Sequence, residues 1–227
     1  MTTAHGWAGA VRTRLGLGRL LPLGDTAAGV WLAERAADTV LRAAAARAVN
    51  GVELGRLRIA LIAPDTARAP ATPTPPPVAV PPGPLRIEAD LAVAAEEPLQ
   101  VLAQRLRTAL FVACEDTLGL AVTEIDLRVT ALLDTAPEPP PATSGGRPTP
   151  PQGPVGEAAA AVPGVAHLTG TLGAPVHMEE SHTRIELATA PGHRPLEVAR
   201  SVREAVTPLL PSATPVTVVI TDVATGP

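Results

Sequence analysis

The chain has 227 residues and a formal net charge of −4; 46% of residues are hydrophobic but only 1% are aromatic, namely Trp7, Trp31 and Phe111. All 18 basic residues are arginine and tyrosine is absent, which excludes a phosphate-loop lysine, a Schiff-base lysine and a tyrosine acid or base. Cys114 is the single cysteine, which excludes an internal disulfide and a multi-cysteine metal site.

Residues 1–24 contain Arg12, Arg14 and Arg19 and no acid. That segment carries about +3, which leaves the remainder at about −7. An acidic body does not suit general nucleic-acid binding, where cationic side chains replace the counterions of the phosphates. Trp7, Val11 and Leu15 fall on one helical face, with Arg12 and Arg19 off it. A short basic amphipathic helix of this kind can lie on an anionic membrane or dock on the protein itself or on a partner. No run of roughly 18 apolar residues occurs, so no transmembrane helix is expected. Gly16, Gly18 and Arg19 interrupt the N-terminal apolar run, so it does not read as a signal peptide.

Between Gly24 and Gly51 the spacing of Val30, Ala33, Ala37, Val40, Ala44 and Ala48 predicts one helix. Asp25 would cap its start and Gly51 would close its end. Leu54 to Ile62 alternates, with Leu57, Ile59 and Leu61 opposite Arg56 and Arg58. Residues 64–84 hold nine prolines. Proline removes a donor and fixes φ, so this stretch reads as an extended insertion that cannot enter a sheet interior. Leu85, Ile87, Ala89, Leu91 and Val93 then alternate with Arg86, Glu88 and Asp90, a half-buried strand with a charged outer face. A second helix starts at Pro98 and carries Leu99, Leu102, Leu106, Ala109, Leu110 and Ala113 as its stripe, with Cys114 at the core edge. Ile125, Leu127 and Val129 mark a third strand, with Glu124, Asp126 and Arg128 on its wet face.

Residues 135–154 hold eight further prolines and read as a linker. Beyond it the order repeats. Val49-Asn50-Gly51-Val52 matches Val162-Pro163-Gly164-Val165, and Arg86-Ile87-Glu88 matches Arg184-Ile185-Glu186. Pro98-Leu99-Gln100-Val101 matches Pro195-Leu196-Glu197-Val198, and Ile125 to Thr130 matches Val216 to Thr221. The second copy keeps only Val155 to Val162 of the first helix. The expected fold is therefore α+β: two small units, each a three-stranded mixed sheet covered by helices in the order helix–strand–strand–helix–strand. The expected organisation is a basic segment 1–24, a first unit 25–134, a linker 135–154 and a second unit 155–227. A unit short of one helix should leave apolar sheet surface uncovered, to pack on the first unit or on another chain.

Val162-Pro163-Gly164-Val165, the Pro195-Leu196-Glu197-Val198 helix start and the alternating run Val216 to Val223 give the chain a specific likeness. In their order they resemble the alkaline-shock-protein family of envelope stress response proteins, here as two units rather than one. The resemblance implies a cytoplasmic, non-enzymatic protein without cofactors. It also implies self-association or a protein partner, with peripheral contact at the cytoplasmic membrane.

The alternative is a metal- or small-ligand-binding module. His177-Met178-Glu179-Glu180-Ser181-His182 gathers imidazoles and carboxylates, with His177, Glu180 and His182 as the candidate ligands and His167 and His193 nearby in sequence. The spacing matches no helical zinc motif, and the segment reads as a turn between strands. Ser181 and Ser201 lack the G-x-S-x-G surroundings of a nucleophile elbow, so no catalytic residue is assigned.

Overall fold

A computed structural model of the chain describes residues 16–24, 28–64, 75–76, 78–94, 97–135, 146–179, 182–211 and 214–225. The fold is α+β, as its patterning predicts, and its strands form two sheets.

The chain opens with two short antiparallel strands, β1 (Leu20–Leu23) and β2 (Val30–Ala33), paired Leu21 to Leu32 and Leu23 to Val30. This corrects the expected helix over 25–51: helix α1 runs Glu34–Ala48, with Ala33 at its N-cap position. Asp25, the expected cap, lies outside the described residues. All four residues of β2 are buried. A strand covered on both faces shows no polar alternation, and the β-branched and aromatic Val30-Trp31 favours extended backbone. Val30 and Ala33 mimic helical spacing only because every neighbouring position is apolar too.

Strands β3 (Val52–Leu61) and β4 (Leu85–Val93) form an antiparallel pair. Helix α2 (Leu99–Val112) follows and continues into a π-helical turn, Ala113–Leu118. Strand β5 (Val122–Leu132) then pairs parallel to β4. The expected alternation holds in β4, where Leu85, Ile87, Ala89, Leu91 and Val93 are buried. It fades in β5: Ile125 is buried and Leu127 half-buried, but Val129 is exposed, contrary to its expected inward position.

After a two-residue strand β6 (Pro148–Thr149), the chain forms helix α3 (Gly153–Ala160) and strand β7 (Val165–Thr169). Strands β8 (Val176–Met178) and β9 (Thr183–Thr189), helix α4 (Pro195–Val206) and strand β10 (Val216–Val223) complete it. β7 and β9 are antiparallel, β9 and β10 parallel, the same pairing as β3, β4 and β5. Matching hydrogen bonds recur. Ala94 N donates to Gly51 O and Ala190 N to Gly164 O, each at 2.8 Å. Leu133 N donates to Val93 O at 2.8 Å and Ala224 N to Thr189 O at 3.0 Å.

The two glycines of the V-x-G-V pattern have a common physical role. Gly51 and Gly164 turn the chain from helix into strand at φ +75 and +90, a region costly for residues with a Cβ. A Cβ on Gly164 would stand 2.7 Å from Val198 Cγ2 and 2.8 Å from His193 Nδ1. Gly164→Ala is therefore expected to destabilise the fold by about 2 kcal/mol or more, since strain and crowding add. Thermal unfolding of the variant beside the parent measures it.

The second set of strands does not form a separate three-stranded sheet. β1 and β2 add to it through parallel pairing of β2 with β10, giving seven strands, with β8 paired to β9 beside β7. The apolar sheet surface of the second copy packs on elements of the first, one of the two expected packings, so Val216 to Thr221 and Ile185 to Thr189 are all buried. Helix α1 supplies much of the cover. It packs on β3 of the small sheet and also on β2 and β10 of the large one. Its inward residues Ala36, Ala37, Val40, Leu41 and Ala45 are mostly small, so two sheets can approach one helix closely. The buried apolar residues accordingly form one continuous cluster across both sheets.

The end of the proline-rich insertion also joins the fold. Leu20 N donates to Val78 O at 3.2 Å, and Val80 N donates to Leu20 O at 2.7 Å. Residues 78–80 thus cover the outer edge of β1 with a single parallel bridge. Proline limits such segments to edges, as here.

Candidate interaction edge

Of the N-terminal candidates, Trp7, Val11, Arg12 and Leu15 lie outside the described residues. Arg19 is described, and its guanidinium contacts the body of the protein. Its Nη2 donates to Glu34 Oε1 at 2.7 Å and to Ile59 O, and its backbone N donates to Glu34 Oε2 at 3.1 Å. Glu34 Oε1 also accepts Ile59 N at 3.4 Å. Burial raises the Glu34 carboxyl, but the hydrogen bonds and charge of Arg19 outweigh it and hold the group below its ordinary range.

These contacts occupy part of the outer edge of β3. The pair Arg19–Glu34 takes both backbone groups of Ile59, while Arg42 donates to Leu54 O and, at 2.8 Å, to Gly55 O. Glu34→Ala strands Arg19 and reopens the edge, with an expected loss of about 2 kcal/mol, in the range for charged hydrogen bonds. For a lowered carboxyl the stabilisation is present above the unfolded-state value near ~4.3 and fades as pH falls through the lower folded one. Denaturant titrations at pH 7 and pH 3 should therefore show a smaller gap between variant and parent at pH 3.

The histidine hairpin brings two of its candidates onto one carboxylate. His177 Nε2 donates to Glu179 Oε1 at 2.9 Å, and His182 Nδ1 lies 3.4 Å from Glu179 Oε2. The hydrogen bond from His177 and the charge of His182 lower the Glu179 carboxyl. Glu180 and Ser181 lie outside the described residues. His167 is not part of this group, because its Nε2 donates to Gly146 O at 3.0 Å. Among the described residues no three His, Cys, Asp or Glu side chains are placed to hold a metal ion. Cys114 is buried, and burial pushes its thiol up to about 12, so it is an inert core residue at neutral pH.

One residue that the repeat places on a wet strand face is instead a buried ionisable group. Glu186 on β9 is 0% exposed. Its Oε2 accepts Leu172 N at 2.8 Å, and its Oε1 lies 3.1 Å from Arg184 Nη2, an ion pair rather than a well-aligned hydrogen bond. Burial raises its carboxyl above the ordinary value, against the Leu172 amide and the Arg184 charge. The repeated Arg-Ile-Glu suggests a wet position, because Glu88 on β4 is exposed. In β9 the segment after β7, held through Leu172, closes over the equivalent place. Beside it Thr169 and Thr221 share a 2.7 Å hydroxyl contact.

The remaining long edge is β5, the outer strand of the small sheet. Its 11 residues include exposed Val129 and Leu132, the latter 71% exposed, beside Glu124, Asp126 and Arg128. Exposed Val101 and Val112 lie on α2, which packs against it. Arg128 Nη2 lies 2.7 Å from Asp90 Oδ1, and Arg86 lies 3.6 Å from Glu124 and 3.7 Å from Asp126. Such exposed pairs contribute little individually. Unpaired strand edges are templates for further strands.

Fold and edge together define an α+β chain with two linked sheets, one of which ends, among the described residues, in a long open strand. No protein-family model matches it, and neither does any curated protein or solved structure. No helix among the described residues is long and apolar enough to cross a membrane.

Proposed function

We propose that this chain is a non-enzymatic scaffold that acts by association with further copies of itself or with a protein partner, in the manner of the alkaline-shock family it resembles. The observation that carries the reading is the open β5 edge with exposed Val129 and Leu132 beside it. β3 is blunted at Leu54, Gly55 and Ile59 by Arg19, Glu34 and Arg42, and β1 is covered by residues 78–80. Proteins ordinarily blunt their sheet edges, so an edge left long and open beside blunted ones points to a use. A peripheral membrane role at the cytoplasmic face rests on Trp7, Val11, Arg12 and Leu15, since Arg19 is engaged by Glu34.

Sedimentation velocity of the full chain over a wide concentration range tests this. A weight-average sedimentation coefficient that rises with concentration supports self-association. A monomer throughout, together with no partner retained from native cells, contradicts the scaffold reading.

A further inference from the structure

We infer that β5 pairs antiparallel with β5 of a second copy, about a two-fold axis at Leu127, so that the small sheet continues across the dimer. This rests on the self-association reading and names its surface. The backbone directions follow from β4. Leu85 N donates to Ala121 O at 2.9 Å, and Leu133 N donates to Val93 O at 2.8 Å. With the register Ile87 to Ile125, Ala89 to Leu127 and Leu91 to Val129, the backbone groups of Asp126 and Arg128 point toward β4. Those of Ile125, Leu127 and Val129 point outward. Among the described residues only Ile125 has a partner there: Arg107 Nε donates to its carbonyl at 3.3 Å, which leaves that oxygen a second lone pair.

Charge selects one register. Antiparallel pairing of outward residues can centre on Ile125, Asp126, Leu127 or Arg128. Centring on Ile125 sets Glu124 opposite Asp126, centring on Asp126 opposes Glu124 to Arg128 but sets the acid against itself at the axis, and centring on Arg128 sets arginine against arginine. Centring on Leu127 places Asp126 opposite the other copy's Arg128 twice, on the wet face, with Ile125 beside Val129 on the other face. Opposite charges across strands stabilise and like charges destabilise. The register shift of β5 after Val129 ends the pairing there, as a bulge does. A closed two-fold dimer is the expected product rather than a growing fibre.

Sedimentation of the full-length chain, with circular dichroism as the check on folding, tests the register. Arg128→Asp alone and Asp126→Arg alone should each abolish the dimer. An equimolar mixture of the two should restore it, because the acidic strand of one then faces the arginine strand of the other. As a second probe, Leu127→Cys should give a covalent dimer on mild oxidation, since hydrogen-bonded antiparallel residues stand about 5.5 Å apart, within disulfide reach. Thr123→Cys should not. A parent dimer that both charge variants retain, or that Leu127→Cys fails to cross-link, overturns the β5 pairing while leaving self-association intact. A parent that stays monomeric overturns both.

Discussion

Replacing Arg184 by alanine is expected to cost about 3 kcal/mol at pH 7, because it removes the cation that pairs with a carboxylate that is 0% exposed. Glu186 is already raised by burial, and the variant loses the charge that opposes that rise. For a carboxyl raised in the folded state, the favourable contribution is present below the unfolded value near ~4.3 and is lost as pH rises through the folded one. The penalty in Arg184→Ala should therefore shrink between pH 7 and pH 4.5. Glu186→Gln added to Arg184→Ala should recover most of the loss at pH 7, since no buried charge then remains. Urea titrations of parent, single and double variants at both pH values measure this. An equal penalty at the two pH values would show that Arg184 acts by packing alone.

The second large effect concerns the joint between the two sheets. Ile220 is fully buried on β10, opposite Leu187 of β9 and Leu32 of β2. Ile220→Ala should cost about 3–4 kcal/mol, the usual range for a deep core truncation. Its consequence should not stay in the C-terminal half. Helix α1 covers β10 and also packs on β3, within one continuous apolar cluster. Loss of helical signal and of the buried Trp31 environment should coincide in a single transition shifted as a whole. Two separated transitions would mean that the halves unfold independently, as the linker over 135–154 suggests from composition.

How much of this was legible in the residues depended on where water lies. β4 could be read directly because one of its faces is wet and its charges alternate. The glycine turns were legible as a repeated pattern, and positive φ explains them. β2 was not legible, because Val30-Trp31-Leu32-Ala33 is buried on both faces and gives no period to distinguish strand from helix. Reading those residues as helix hid the seven-stranded sheet, because β2 is the strand that joins β1 to β10. Glu186 was hidden for a related reason: nothing in Arg184-Ile185-Glu186 says that the chain around Leu172 will cover it. The role of Arg19 was missed because its partner, Glu34, lies 15 residues away on an element with the wrong predicted start. The β5 edge was partly visible. Its charges and apolar residues could be counted, but strand order alone makes it an edge.

The most direct measurement on the account is amide hydrogen exchange of the parent chain as a function of concentration. Leu127 and Val129 should exchange freely in dilute solution and become protected as the dimer fills, because their N–H groups then bond to the second copy. Asp126 and Arg128, bonded to β4 in either state, should not change. Unaltered exchange at Leu127 and Val129, over a concentration range in which the sedimentation coefficient rises, would contradict the claim that this edge is where the protein works.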